Sequence, residues 1–246
     1  MNKWSDCGIV ISSSKYGEKY KIVNIFTENH GKFSGLTSRN KDSVFSIFSK
    51  VEINWNTRNN NLIGFWHLKN EKQNWIYSFN SNCKISIIQS LTCLLNNALP
   101  IGIKYQELFE IIDLIYNDMN KFTEKQLIYI YAYFEFILLE KVGFGFDLKV
   151  CCICNRKEEL HYISPKTGQV ASKNCVQDHR KLFEIPKIWT TWKSIDINEI
   201  MSNCNFLDAS DIKKSLDITL YFINKNIFNF DNFFRINLNN YLYKAA

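Results

Sequence analysis

Three runs near the start of the chain decide how it is read: Ile9-Val10-Ile11-Ser12-Ser13, Lys21-Ile22-Val23-Asn24-Ile25-Phe26-Thr27 and Lys32-Phe33-Ser34-Gly35-Leu36-Thr37. All three are rich in β-branched and aromatic residues. Lys15-Tyr16-Gly17-Glu18 and Asn29-His30-Gly31 part them, and both segments carry turn chemistry. Residues 51–55, 62–68 and 75–79 continue the pattern across polar gaps at 59–61 and 70–74. Short strands at regular spacing predict a small antiparallel barrel or sandwich over the first eighty residues. The pattern does not separate the two.

From Ile85 onward the apolar period changes from two to between three and four. Ile87, Ser90, Leu91, Leu94 and Leu95 fall on one helical face. Leu108, Ile111, Ile112 and Ile115 repeat it, as do Leu127, Ile130, Tyr131, Phe134 and Leu138. Pro100 and the candidate N-cap Thr123 bound these helices, and Gly143 and Gly145 end the third. Gly143-Phe144-Gly145 alone is helix-stopping chemistry rather than a phosphate loop. Residues 160–163 and 169–171 predict a hairpin around Pro165-Lys166-Thr167-Gly168. Beyond Pro186 the chain turns helical again, most clearly over 211–224.

Charge is uneven. Residues 1–82 carry 11 Lys/Arg against 6 Asp/Glu, residues 83–150 carry 6 against 8, and residues 151–246 carry 13 against 10. A positive N-terminal part suits an acidic polymer, although a solvated lysine-rich surface has the same signature. Residues 1–8 are polar and hold Asp6, so no secretory signal is expected. The longest apolar run, 127–139, is too short to span a bilayer and is interrupted by Glu135. Eight cysteines without an export signal predict reduced thiols or metal ligands in a cytoplasmic protein.

The sharpest constellation is Cys151-Cys152-Ile153-Cys154 followed by Cys175 and His179. Its spacing is that of a four-ligand zinc site, in which a two-residue gap lets one turn present two thiolates to one ion. Cys152 then faces the other way as a core thiol. Buried cysteines without metal are the competing reading. Catalytic motifs are missing: no Walker lysine, no His-Glu-x-x-His, no Gly-x-Ser-x-Gly, and no His-x-Glu paired with Pro-Cys-x-x-Cys. Single-stranded nucleic acid needs cations along the phosphates and aromatic faces for the bases. Lys15, Lys19, Lys21, Lys32, Arg39 and Lys41 are the candidate phosphate contacts. Tyr16, Tyr20, Phe33 and Phe45 are the nearby aromatics, for which a barrel core is the plainer role.

Trp4-Ser5-Asp6-Cys7-Gly8-Ile9-Val10-Ile11, Lys15-Tyr16-Gly17-Glu18, Ile22-Val23-Asn24-Ile25-Phe26-Thr27, His30-Gly31-Lys32 and Gly35-Leu36, taken in order, resemble the opening of the RecO family of bacterial recombination mediators. Leu108-Phe109-Glu110-Ile111-Ile112, Phe134-Glu135-Phe136-Ile137-Leu138-Leu139 and Gly143-Phe144-Gly145-Phe146-Asp147-Leu148 continue it. Cys151, Cys154 and Tyr162-Ile163-Ser164-Pro165-Lys166-Thr167-Gly168 complete it. Order and spacing cover roughly residues 4–190, and the remainder matches only as a generic helical tail.

The resemblance implies an α+β chain. An N-terminal OB-fold β-barrel (1–82) binds nucleic acid, and an α-helical domain (83–246) carries a zinc-finger-like insertion at about 149–183. It further implies a non-catalytic, nucleoid-associated mediator without membrane contact. Such a protein binds single- and double-stranded DNA, anneals complementary strands and, with RecR, helps RecA replace single-strand-binding protein. Recruitment through the C-terminal tail of single-strand-binding protein belongs to the same expectation. Zinc-bearing members of the family carry a second pair of cysteines, whose positions here fall on Ser172 and Cys175. Either His179 supplies the missing ligand and one structural zinc is held, or the finger is degenerate and held by packing. The alternative from another class is a nucleic-acid-processing enzyme or RNA-modification subunit with an OB-fold and a metal-binding cysteine cluster.

Overall fold

A computed structural model describes residues 2–38, 46–57, 63–72, 81–176, 181–194, 197–200, 208–230 and 233–242. Five strands, β1 (Asn2–Tyr16), β2 (Tyr20–Thr27), β3 (Gly31–Ser38), β4 (Lys50–Thr57) and β5 (Gly64–Lys72), close into a barrel in the order β1-β2-β3-β5-β4. This is the OB-fold, and closure resolves the choice that periodicity left open. β1 is 15 residues long because it serves two neighbours. Its first half pairs with β4 and its second half with β2, and a register shift between Val10 and Ser12 lets it bend. At Gly8, which with Ile9 is shared by both ladders, a Cβ would lie 2.6 Å from the Ile25 side chain.

The barrel closes through a short parallel contact in which Gly35 opposes Gly64. Each glycine gives way to an indole. A Cβ on Gly35 would lie 2.7 Å from Trp66 Nε1, and one on Gly64 would lie 2.3 Å from the Trp55 ring. Trp55 and Trp66 thereby join Val10, Val23, Ile25, Val51 and Ile53 in the interior, with Trp4 and Phe33 packed against them. The Trp66 Nε1–H donates to the Val23 carbonyl at 2.9 Å, so the buried indole leaves no polar group unmet. The predicted strand at 75–79 lies outside the described residues.

Helices α1 (Asn82–Ala98) and α2 (Gln106–Asp118) belong to the same compact unit, which runs from Met1 to Phe122. The sequence boundary at 82–83 marks where strands give way to helices, while compactness carries the unit on because both helices pack on the barrel. Asn96 Oδ1 accepts from Asn24 Nδ2 at 2.7 Å and from Ser12 Oγ at 3.3 Å. From α2, Phe109 meets Phe26, Tyr116 meets Phe48, and Asp113 pairs with Lys50. The apolar faces expected on α1 and α2 are the buried ones.

The second unit, Thr123–Ala246, is built around α3 (Glu124–Lys141). Thr123 and Gln126 form a reciprocal capping box at its start. The sequence marks one apolar face, but every residue from Leu127 to Leu139 is buried. Around it lie a three-stranded sheet, β6 (Leu160–Ile163), β7 (Val170–Ser172) and β8 (Phe183–Glu184), and helices α4 (Ile188–Trp192), α5 (Ile197–Ile200), α6 (Ala209–Asn226) and α7 (Phe233–Leu242). The hairpin falls where the turn chemistry placed it. Lys225 Nζ holds its tip, donating to the carbonyls of Pro165 and Lys166 at 2.7 and 2.6 Å. Asp211 accepts the Lys187 and Ile188 N–H groups and so anchors the start of α4 on α6. No described helix is long and apolar enough to cross a membrane.

The centre of this unit is ionic. Glu135 and Arg235 are both fully buried and meet bidentately, Nε to Oε1 at 2.5 Å and Nη2 to Oε2 at 2.8 Å. Tyr131 and Thr219 hydroxyls donate to the same carboxylate. Burial disfavours the charged guanidinium, but the Glu135 charge outweighs it and raises the Arg235 pKa. The segment read as a generic tail therefore completes the core.

Candidate nucleic-acid interface and metal centre

The hairpin between β1 and β2 is exposed from Ser13 to Tyr20. Gly17, at φ +62°, makes the turn, and an added Cβ there would meet nothing within 4 Å. Lys15, Tyr16, Glu18, Lys19 and Tyr20 are all exposed around it. Tyr16 is 52% exposed, Tyr20 42% and Phe65, on β5, 45%. The Tyr20 and Phe65 rings meet edge to face at 6.3 Å, so two strands of the closed barrel contribute to one aromatic surface. In OB-folds the strand 2–3 face, flanked by the loops between strands 1 and 2 and between 4 and 5, is where oligonucleotides lie. Lys19 lies in the first loop with Tyr16 and Tyr20 at the strand ends on either side of it, and Phe65 is the second residue of β5.

The structure separates the six basic candidates. Lys15 and Lys19 are exposed cations without an ion-pair partner among the described residues. Lys21 is only 5% exposed: along β2 it shares the inward face with Val23 and Ile25, which corrects its reading as a surface cation. Lys32 is also drawn inward. Its Nζ donates to the Asn96 carbonyl at 2.6 Å near the end of α1, and burial lowers its pKa. Arg39, Lys41 and Phe45 lie outside the described residues. Phe33 takes the core role, with its ring 5.1 Å from both Trp4 and Trp55. Phe65 escaped the sequence reading because an aromatic-rich chain gives no signal for which of its rings face out.

In the second unit Cys151, Cys154 and Cys175 converge, with all three Sγ atoms within 4.8 Å of one another. Cys151 is buried, and its sulfur accepts the Ser172 N–H at 3.3 Å and the Ile153 N–H at 3.4 Å. Hydrogen bonds from the Ser172 and Cys154 backbone outweigh burial and bring its thiol down to about 6. Sharing hydrogen bonds with Cys154, together with burial, pushes Cys175 up to about 11. Three sulfurs in one cluster, one of them in a cage of N–H donors that favours thiolate, fit a soft metal ion, and the cluster can hold one. Ser172 sits beside the cluster; its hydroxyl donates to the Glu158 carbonyl at 3.1 Å and also helps to lower the Cys151 thiol. His179 lies outside the described residues. Cys152 is exposed rather than a core thiol, because Cys151 alone takes the buried position in that turn.

Between the end of α3 and α4 lies a cleft of about 540 Å³. Phe146 and Leu148 give it apolar walls, and two cations, Lys149 and Lys193, share its lining with two carboxylates, Glu140 and Asp147. Lys193 also pairs with Glu140 at 2.5 Å.

A closed OB barrel with exposed aromatic and basic residues at one hairpin, followed by a helical body bearing a thiol-lined hairpin, defines a class of OB-fold proteins with an appended helical domain. Within that class, residues 1–67 match the family model described as Recombination protein O N terminal, and residues 83–229 match the one described as Recombination protein O C terminal. The chain belongs to the RecO family. It is 30% identical over 233 residues to the DNA repair protein RecO of Wolbachia pipientis wMel, covering 92% of each chain. It is 29% identical to that of Ehrlichia chaffeensis, over 91% of this chain and 90% of the relative. Identity to the protein of the same name in Rickettsia canadensis is 24%, over 91% and 88%.

Proposed function

We propose that this chain is a DNA-repair mediator that binds single- and double-stranded DNA and anneals complementary strands, with no chemical step of its own. The observation that carries the reading is the joint exposure of Tyr16, Tyr20 and Phe65 beside Lys15 and Lys19 on the oligonucleotide face of an OB barrel. The rings stack bases and the lysines neutralise phosphates; Arg39 and Lys41, which follow β3 in the sequence, are further candidate phosphate contacts. Two backbones repel each other. A protein that screens both lowers that barrier, while base pairing supplies the driving free energy.

In the same reading RecR is the partner with which the chain helps load RecA onto covered strands. The helical domain of residues 83–246 would take partners. The cleft with Phe146, Leu148, Lys149 and Lys193 suits the acidic, Phe-ended tail of single-strand-binding protein, as an apolar anchor plus a charge-assisted carboxylate contact. Cys151, Cys154 and Cys175, with His179 as the fourth ligand, would hold one structural zinc, which supplies folding free energy to the hairpin when bound. Elemental analysis of protein purified without chelator should give about one zinc per chain, and a clean zero rejects the site.

Strand annealing by the purified chain tests the function. Annealing should proceed without ATP and slow as salt rises. Replacing Lys15 and Lys19 together with Ala should weaken single-strand binding and flatten its salt slope by about 1.4, at ~0.7 for each lost contact. A strict ATP requirement, or cleavage of the DNA, would move the enzyme reading to the front.

A further inference from the structure

Alternation along β1, β4 and β5 sends Trp4, Trp55 and Trp66 toward the barrel interior and their chain neighbours outward. The strand registers set those outward residues in two rows. Lys3, Asn56 and Phe65 form the first, and Ser5, Asn54 and His67 the second. The four residues on β1 and β5 are exposed, whereas both asparagines on β4, the strand between them, are partly buried. The face is therefore a shallow groove. Two amides form its floor, Phe65 and His67 one wall, and Lys3 and Ser5 the other.

Most of these side chains are unengaged. Lys3, Asn56 and His67 make no hydrogen bond or ion pair among the described residues, and Asn56 Oδ1 is an acceptor without a partner. Ser5 Oγ donates to Asn54 Oδ1 at 2.5 Å, which leaves the Asn54 amide donors unused. Charge does not make this a phosphate track. Lys3 is the only lysine or arginine in the two rows, and the exposed carboxylate of Glu52 stands next along β4. What the groove offers is ring faces and amides, the groups that meet bases. It also continues the hairpin surface, because Phe65 is the ring that meets Tyr20 edge to face.

We infer that this outward face of β1, β4 and β5 is a base-binding groove by which the chain tells a single strand from a duplex. Bases of a single strand stack on Phe65 and His67 and turn their edges to the Asn54 and Asn56 amides. The phosphates stay outside the groove, where Lys15 and Lys19 of the hairpin meet them. In a duplex the bases already stack on one another and their pairing edges are taken, so the groove gains no contact. The inference rests on the nucleic-acid reading of the barrel and deepens it, by carrying the strand beyond the hairpin and onto β4 and β5.

The test uses the full chain with a fluorescent oligothymidylate and an equally labelled duplex, each across a salt series. His67→Ala/Asn54→Ala should weaken single-strand binding about 10-fold, the loss expected for one stacked base, with the salt slope and the duplex affinity unchanged. His67→Phe keeps a stacking face and should bind the single strand as the wild type does. Circular dichroism matching the wild type confirms an intact fold, and His67→Ala alone carries the same expectation if the double variant does not fold. Wild-type single-strand affinity in the Ala variants, alongside a reduced salt slope in Lys15→Ala/Lys19→Ala, would overturn the groove and leave the barrel reading standing. Equal losses on single strand and duplex would place the contact on the backbone and overturn the groove as well. No salt-dependent binding by the wild-type chain would overturn both readings.

Discussion

Inside the barrel, Trp4, Phe33, Trp55 and Trp66 close over Val10, Val23, Ile25, Val51 and Ile53, and each indole that points inward takes its space from a glycine on a facing strand. Inside the helical unit, the middle of α3 holds Glu135 against Arg235, with Tyr131 and Thr219 completing the carboxylate's bonds. The first interior is apolar and full, so its weak point is an added atom. The second is held by opposite charges out of water, so its weak point is a lost partner. The pair is not flawless: Arg235 Nη1 is buried without a hydrogen-bond partner. A buried ion pair of that kind fixes geometry more surely than it adds stability.

The largest effect should follow from breaking that pair. Arg235→Met leaves a carboxylate buried with two hydroxyls and no countercharge, which should cost about 3–5 kcal/mol. Urea unfolding followed by circular dichroism reads it directly. Adding Glu135→Leu should recover most of the loss, because an apolar pair of similar volume needs no compensation. A double variant as unstable as the single one would show that the network, not the uncompensated charge, carries the stability.

The matching change in the barrel adds one methyl group. Gly64→Ala would place a Cβ 2.3 Å from the Trp55 ring. Overpacking of this kind should cost about 1–3 kcal/mol, with a shift in tryptophan fluorescence as the indole moves. Gly17→Ala is the control, since its Cβ meets open space and only the positive φ opposes it. A loss in Gly64→Ala no larger than in Gly17→Ala would mean that the Trp55 ring yields to the added methyl group and that indole packing does not require Gly64.

These two interiors were unequally legible in the sequence. Alternation gives the barrel strands, and Gly17 and Gly31, both at positive φ, give their turns. Burial of Lys21 is also written there, since it keeps phase with Val23 and Ile25, but its charge masks the phase. Closure is not legible, because it rests on the brief pairing of Gly35–Leu36 with Gly64–Phe65 across a long stretch of chain. The thiol cluster is legible from spacing because local turn geometry presents two of its ligands. The Glu135–Arg235 pair spans a hundred residues, and its sole local sign is a glutamate inside an apolar run. Periodicity finds faces; it does not find partners.

The smallest effect, and the one confined to acid, belongs to Asp6 on β1. Its carboxylate is 1% exposed. It accepts the Cys7 N–H at 2.8 Å, the Asn29 N–H at 2.9 Å, Asn29 Nδ2 at 3.0 Å and His30 Nδ1 at 2.7 Å. The turn between β2 and β3 is thereby pinned to β1, and Trp4 stacks on the His30 ring at 4.0 Å. Burial alone would push the carboxyl up, but the bonds from His30, Asn29 and Cys7 outweigh it and hold the pKa below the ordinary value. The folded chain therefore gives up this proton at lower pH than the unfolded chain does. Stability from Asp6 is complete above the unfolded value of about 3.9 and is lost as pH falls through the lower folded value. Asp6→Asn should cost on the order of 1 kcal/mol near neutrality, because the amide oxygen still accepts part of the set. It should also flatten the acid limb of the urea midpoint measured between pH 7 and pH 3, with no change in slope above pH 5. An acid limb as steep as the wild type's would assign the sensitivity to other carboxylates and leave Asp6 a turn anchor whose charge does not matter.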